Sequence, residues 1–303
     1  VLAPSGPGPG GRADDSAVDD EEEAMTEGFA TNVARAVAGT GPMCAGIDPS
    51  ADLLTAWGLP DTPDGLRAFG LTCVEAFAGV VPVVKPQVAF FERLGSGGME
   101  ALEEVLAAAR GAGLLVIADA KRGDIGSTMA AYASAWLDPS SPLVADALTV
   151  MPYMGLGALQ PALDLAAAGG RGVIVVTRSS NPEGRSLQTA VTAAGPSVED
   201  QLLAEVAALN SGGLPVGGTV GVVIGATLEP SAFDLSGLGG VILAPGFGVQ
   251  GGTTETVRAL FGGCAQGTVL PSASRSLLST GPDVGILRDT AARECEALRT
   301  ALA

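Results

Sequence analysis

The sequence predicts a (β/α)8 TIM barrel, an α/β fold of eight parallel strands each followed by a helix. Three observations carry that prediction. Eight short apolar runs recur along the chain, a helix-like segment follows each of them, and no Pro/Ser-rich linker divides the middle of the 303 residues. One barrel of roughly 250 residues plus an unstructured arm accounts for that length. A two-domain doubly wound arrangement is the alternative, and the missing linker disfavours it.

The elements follow in order. Residues 1–27 form a separate Pro/Gly-rich and then acidic segment, with eight acids and one arginine and so seven of the seventeen net negative charges. Such a composition cannot bury enough surface to fold and is expected to be a disordered extension. It lacks the basic start and apolar stretch of a secretory signal. Met25 marks a candidate start, with residues 1–24 an extension. Residues 28–303 are expected to form the single barrel domain. Its strand candidates are 43–47, 80–84, 114–118, 147–150, 172–176, 220–224, 241–244 and 268–270. Continuous apolar runs of this kind suit strands buried on both faces. The helix candidates between and after them are 51–69, 98–112, 128–137, 156–168, 197–209, 228–235, 253–261 and 284–302, with Ser127 near the N-cap of the third.

Composition excludes several classes. The net charge of −17 argues against non-specific nucleic-acid binding, which needs a basic footprint. No apolar run reaches the ~18 residues of a membrane span. There is no histidine, so a Ser-His or Cys-His nucleophile is ruled out and a Cys/His zinc site is disfavoured. The four cysteines are widely spaced with no C-x-x-C, as expected of reduced, buried residues in a cytoplasmic protein.

Polar groups gather just after the apolar runs, where the strands of a barrel share one rim. They are Asp48 in GIDPS, Lys85 in VVKPQ, Asp119, Lys121 and Asp124 in DAKRGD, and Pro152 and Tyr153 in TVMPY. Arg178 to Ser180, Pro245 and Gln250 in APGFGVQGG, and Ser274 and Arg275 complete the set. That rim is where barrels do chemistry, and the loops after strands seven and eight commonly hold phosphate. The glycine-rich PGFGVQGG lets backbone N–H groups approach an anion, and Arg275 offers a two-pronged donor for phosphate oxygens.

These segments resemble the orotidine 5′-phosphate decarboxylase family, in the bacterial subgroup carrying a DAKRGDIGST-like signature. The resemblance rests on GIDP, VVKPQVAFFE, DAKRGDIGST, RSSNPEG, PGFGVQGG and PSASRS, spread from about Cys44 to Gly281. It implies a cofactor-free, metal-free decarboxylation of orotidine 5′-phosphate to uridine 5′-phosphate and CO2. Lys85, Asp119, Lys121 and Asp124 would form an alternating charged array. Lys121 would supply the proton to C6 and Asp119 would face the leaving carboxylate. Asp124, with Thr128 beside it, would reach in from the partner of a homodimer. Asp48 and Lys85 would hold ribose hydroxyls, Ser180 the base, and Gln250 and Arg275 the phosphate, with Pro245 also among the substrate-binding residues. Tyr153 and Glu255 receive no role. Ser50, Met151 and Ser179 depart from residues common in relatives, and none lies in the charged array. Two rival readings stay open, a Mg²⁺-dependent sugar-phosphate aldolase or decarboxylase of the same superfamily and a non-catalytic nucleotide-binding barrel.

Overall fold

In the computed structural model, which describes residues 27–214, 217–229 and 234–303, eight parallel strands close into a barrel in sequence order. The extension expected over 1–27 lies outside the described residues except for Glu27, which pairs with Arg35. Helix α1 (Phe29–Thr40), which the strand–helix alternation did not foretell, precedes the first strand. Phe29 is buried, and a Cβ on Gly172 would sit 2.4 Å from its ring, so the glycine makes room for the aromatic side chain to enter the fold.

The strands are β1 (Cys44–Ile47), β2 (Val83–Pro86), β3 (Leu115–Arg122), β4 (Ala147–Val150), β5 (Gly172–Arg178), β6 (Val220–Ile224), β7 (Ile242–Pro245) and β8 (Val269–Ala273). All eight overlap the predicted runs, but five run past their predicted ends, β7 to Pro245 and β8 through Ser272 to Ala273 among them. Lys85 lies within β2, and β3 continues through Asp119 and Lys121 to Arg122. β5 likewise includes Arg178. Apolarity marks where a strand is buried. The strand itself ends where backbone pairing ends, and parallel pairing persists to Pro86, Arg122 and Arg178.

Two regions differ from expectation. The helix expected over 51–69 is broken into α2 (Ala51–Ala56) and α3 (Pro63–Phe77). Gly58 takes a left-handed φ of 69° and Pro60 follows, after which the Thr62 side chain caps a fresh helix that opens on Pro63. Of the helix expected over 228–235, residues 230–233 lie outside the described residues, and those on either side are not helical.

The remaining helices are α4 (Val88–Glu92), α5 (Gly95–Gly111), α6 (Gly126–Leu137), α7 (Gln160–Ala168), α8 (Arg185–Gln188), α9 (Val198–Ala208), α10 (Thr254–Phe261), α11 (Arg275–Leu278) and α12 (Val284–Leu302). Ser197 caps α9 by accepting from Asp200 N. Ser127 caps nothing, because α6 already begins at Gly126, with extended Ile125 as its N-cap.

Side chains alternate across a strand. One set packs outward against the helices in the larger core, and the other fills the barrel with Cys44, Val83, Ile117, Ala147, Ile174, Val223, Leu243 and Leu270. Two residues further along the same strands, the inward positions become Lys85, Asp119, Thr149, Val176, Pro245 and Ser272. The period of two thus converts a plugged apolar barrel into a charged floor one layer higher. Among the described residues, no helix is long and apolar enough to cross a membrane.

Candidate active site

Asp119 is at the centre of that floor and is 7% exposed. Lys85 Nζ donates to its Oδ2 at 2.9 Å, and Lys121 Nζ donates to its Oδ1 at 2.5 Å. Two further donors complete the shell, Gln87 Nε2 to Oδ2 at 3.2 Å and Thr149 Oγ1 to Oδ1 at 3.0 Å. One carboxylate is therefore held by two ammonium groups, an amide and a hydroxyl. Burial opposes ionisation of Asp119, but Lys85 and then Lys121 outweigh it and hold the carboxyl well below its usual range. Burial equally opposes the charge on Lys85, and Asp119 followed by Asp48 more than compensates, so the amine is held above its ordinary value.

The two lysines differ in environment. The Lys85 side chain is 7% exposed and that of Lys121 is 46% exposed, so Lys121 presents its ammonium to the space above the floor. Lys121 is also the one non-glycine among the described residues with a left-handed backbone, at φ 49°. The pairing of β3 with β4 shifts register between Ala118 and Arg122, around this residue. A non-glycine residue is uncommon in that conformation and marks a place where surrounding structure imposes the geometry.

A cavity of about 360 Å³ opens above the floor. Asp48, Lys85, Asp119, Lys121, Ser180, Pro245, Gln250 and Arg275 all line it, which brings eight of the ten predicted site residues together. Asp48 accepts from Ser274 Oγ at 2.5 Å through Oδ2, while its buried Oδ1 has no hydrogen-bond partner among the described residues. Ser274 comes that close because residue 46 is glycine, where a Cβ would lie 2.7 Å from Ser274 Cβ.

The glycine-rich loop forms a further part of the cavity lining. Gly246, Gly248 and Gly251 all have left-handed φ, and Gly248 N and Gly252 N both donate within the loop. At Gly248 a Cβ would approach Ser276 Oγ to 2.9 Å, beside Arg275. The Arg275 side chain has no hydrogen bond or ion pair among the described residues.

Asp124 and Thr128 do not line this cavity. The Asp124 carboxylate accepts from Ile125 N at 2.8 Å, and Thr128 is exposed on the first turn of α6. Around them lies exposed apolar surface, Ile125 at 60%, Met151 at 40%, Tyr153 at 81% and Met154 at 48%. Arg178 also turns away from the cavity. It pairs with Glu199 at 3.1 Å, both nearly buried, and so ties the end of β5 to α9. Arg122 ion-pairs with Glu92 and stacks 5.6 and 5.7 Å from the rings of Tyr132 and Trp136.

Sequence reasoning missed Gln87 and Thr149. Gln87 follows KP directly, and Thr149 is the single polar residue in the run ALTV. A hydroxyl in an otherwise apolar buried strand was the available signal. The divergent Ser50 and Ser179 have local tasks. Ser50 caps α2, and Ser179 hydrogen-bonds Asn181 and Gln188 within its loop.

Residues 41–289 match the family described as Orotidine 5'-phosphate decarboxylase / HUMPS family. The chain belongs to that family. It is 54% identical over 267 residues to the orotidine 5′-phosphate decarboxylase of Corynebacterium efficiens, covering 87% of this chain and 94% of the relative. It is 50% identical over 277 residues to that of Streptomyces coelicolor, covering 91% and 99%. Among solved structures, a Streptomyces avermitilis protein assigned the same decarboxylase name superposes with a TM-score of 0.86 at 50% identity, over 91% of this chain and 96% of that one. The Leishmania donovani OMP decarboxylase superposes at 0.72 with 27% identity, over 90% and 98%.

Proposed function

We infer that the protein removes the carboxylate of orotidine 5′-phosphate to give uridine 5′-phosphate and CO2, the last step of pyrimidine nucleotide synthesis. The observation that carries this is the Lys85–Asp119–Lys121 array sharing one cavity with Arg275 and the glycine-rich loop. A charged centre suited to a carbanion and a guanidinium suited to a phosphate thus line the same cavity. The relatives at half identity carry the decarboxylase name, not that of a sugar-phosphate aldolase.

In this scheme the bond between C6 and the carboxylate carbon breaks, and its electron pair stays on C6 with no π-system to spread it. Lys121 offsets that charge and gives C6 a proton, and the neutral amine then regains a proton from water. A compact ammonium with transferable protons suits both tasks. Asp119 faces the substrate carboxylate. Two like charges ~4 Å apart at an effective dielectric of about 20 repel by ~4 kcal/mol, a repulsion that departure of CO2 relieves. Lys85 keeps Asp119 ionised and in place.

The unpartnered Asp48 Oδ1 supports a role in accepting a ribose hydroxyl, alongside Lys85. Ser180 at the rim would meet the base, and Gln250 and Arg275 the phosphate, with Pro245 packing beneath them. Binding energy from the phosphate then supports orientation at the reacting end. Asp124 and Thr128 complete the site from the second subunit of a homodimer, and the exposed apolar surface around them supports that assembly. Four unpaired cysteines fit a reducing, cytoplasmic setting.

The deciding experiment mixes the protein with orotidine 5′-phosphate in chelator and follows the loss of the substrate's ultraviolet absorbance. Wild type is expected to turn over. Lys121→Ala is expected to bind uridine 5′-phosphate yet lose catalysis by at least 10³-fold, as removal of a proton donor and charge stabiliser predicts. Normal turnover by Lys121→Ala would remove the assigned acid.

A further inference from the structure

Thr149 is 1% exposed and lies on β4, and the sequence assigned it no role. Its hydroxyl has two bonds of consequence. It accepts from Lys121 N at 3.0 Å and donates to Asp119 Oδ1 at 3.0 Å. Lys121 Nζ reaches the same Oδ1 at 2.5 Å. A closed circuit results, running from the Lys121 backbone through the Thr149 hydroxyl to the Asp119 carboxylate and back through the Lys121 ammonium.

Two features make this circuit more than local satisfaction of polar groups. Lys121 has the left-handed backbone that a lysine rarely adopts, and the strand pairing that would otherwise hold it is interrupted there. Thr149 provides the hydrogen bond in place of that pairing. The second feature is directional. Asp119 Oδ1 takes the Thr149 hydroxyl and the Lys121 ammonium, leaving Lys85 and Gln87 on Oδ2. The carboxylate plane is therefore set by donors on both oxygens, and rotation of the plane would carry the Lys121 ammonium with it.

We propose that Thr149 is a positioning residue, which locks the Lys121 backbone and the Asp119 carboxylate in one geometry so that the Lys121 ammonium is aimed at the reacting carbon. The inference rests on the decarboxylase reading above, in which Lys121 is the proton donor. Thr149 touches no substrate. Its effect passes through placement, and placement errors of a fraction of an ångström are costly to proton transfer.

The test compares Thr149→Val, which keeps the β-branched shape and deletes the hydroxyl, with Thr149→Ser, which keeps the hydroxyl. Wild-type turnover of orotidine 5′-phosphate in the same assay checks the decarboxylase reading separately, since its failure would condemn that reading whatever the variants do. Thr149→Val is expected to lower kcat at least tenfold while KM and the affinity for uridine 5′-phosphate stay within about threefold. Thr149→Ser is expected to recover kcat to within about threefold of wild type. A threonine needed only for packing would lower thermal stability in Thr149→Ser, which loses the methyl group, spare it in Thr149→Val, and leave kcat per folded molecule alone in both. Wild-type kcat in folded Thr149→Val, a change confined to KM, or an equal kcat loss in Thr149→Ser would each overturn the proposal. If the valine variant does not fold, Thr149→Ala serves as the hydroxyl deletion and is judged by the same outcomes.

Discussion

Asp119 and Lys85 form a buried ion pair whose value lies in placement more than in stability. Taking two charges out of water costs several kcal/mol per ion, and only close geometry with further hydrogen bonds offsets it. Here four donors surround the carboxylate. The pH dependence follows from the two directions of shift. Asp119 is held below the ordinary carboxylate value of about 3.9, so its contribution is complete above about pH 4 and is lost as pH falls through the lowered value. Lys85 is held above the ordinary lysine value of about 10.4, so its contribution is complete below about pH 10 and is lost as pH rises through the raised value. Across the intervening range Asp119 and Lys85 both keep their charges. Urea unfolding of wild type and Asp119→Asn should therefore show a stability difference that narrows as pH drops from about 5 towards 2, because the unfolded wild type takes up a proton there before the folded form does. A difference that widened on acidification would contradict the depressed carboxyl.

At the level of strands and helices, β5 and α9 are joined by the Arg178–Glu199 pair beneath the loop that carries Ser179 and Ser180. A polar pair at this point leaves each partner dependent on the other. Burial pushes the Glu199 carboxyl up and Arg178 pulls it back only partly. Removing one partner strands a charge in a nearly closed site, at a cost of about 3–5 kcal/mol. Glu199→Ala is expected to lower the urea midpoint accordingly with little change in slope. The double variant Arg178→Met with Glu199→Leu should regain most of the loss, since an apolar pair of similar bulk removes the stranded charge. If Glu199→Ala unfolds at the wild-type midpoint, the pair is not holding β5 to α9.

The barrel as a unit gathers eight of its proposed site residues in one cavity but leaves Asp124 and Thr128 on a surface with exposed Ile125, Tyr153 and Met154. A two-fold assembly through that surface would return Asp124 to a neighbour's cavity. Mixing two inactive variants tests this. Each hybrid of Lys121→Ala with Asp124→Ala would contain one site with both residues intact, so subunit exchange should restore about a quarter of wild-type activity for a two-fold dimer. No recovery after demonstrated exchange would place both residues in sites of the same subunit.

The strand count was legible because each buried strand interrupts an otherwise Ala-rich chain with Val, Ile and Leu, and turns punctuate it with Gly and Pro. Asp48, Lys85, Asp119, Lys121 and Arg275 stood out because charge directly after an apolar run is conspicuous in a one-dimensional pattern. The break at Gly58 and Pro60 was written in the chain and overlooked, since apolar spacing continues across it into α3.

Local chemistry along the chain was thus sufficient to specify alternating strands and helices, the order of the rim residues and the sites of the charges. Which of those charges meet was settled by strand pairing in the sheet, because parallel pairing brings β2, β3 and β4 side by side at fixed register. Thr149 and Gln87 became visible in the same way. A hydroxyl and an amide are unremarkable in a sequence, and their hydrogen bonds to Asp119 exist only because strands about 30 residues apart in the chain are neighbours in the sheet.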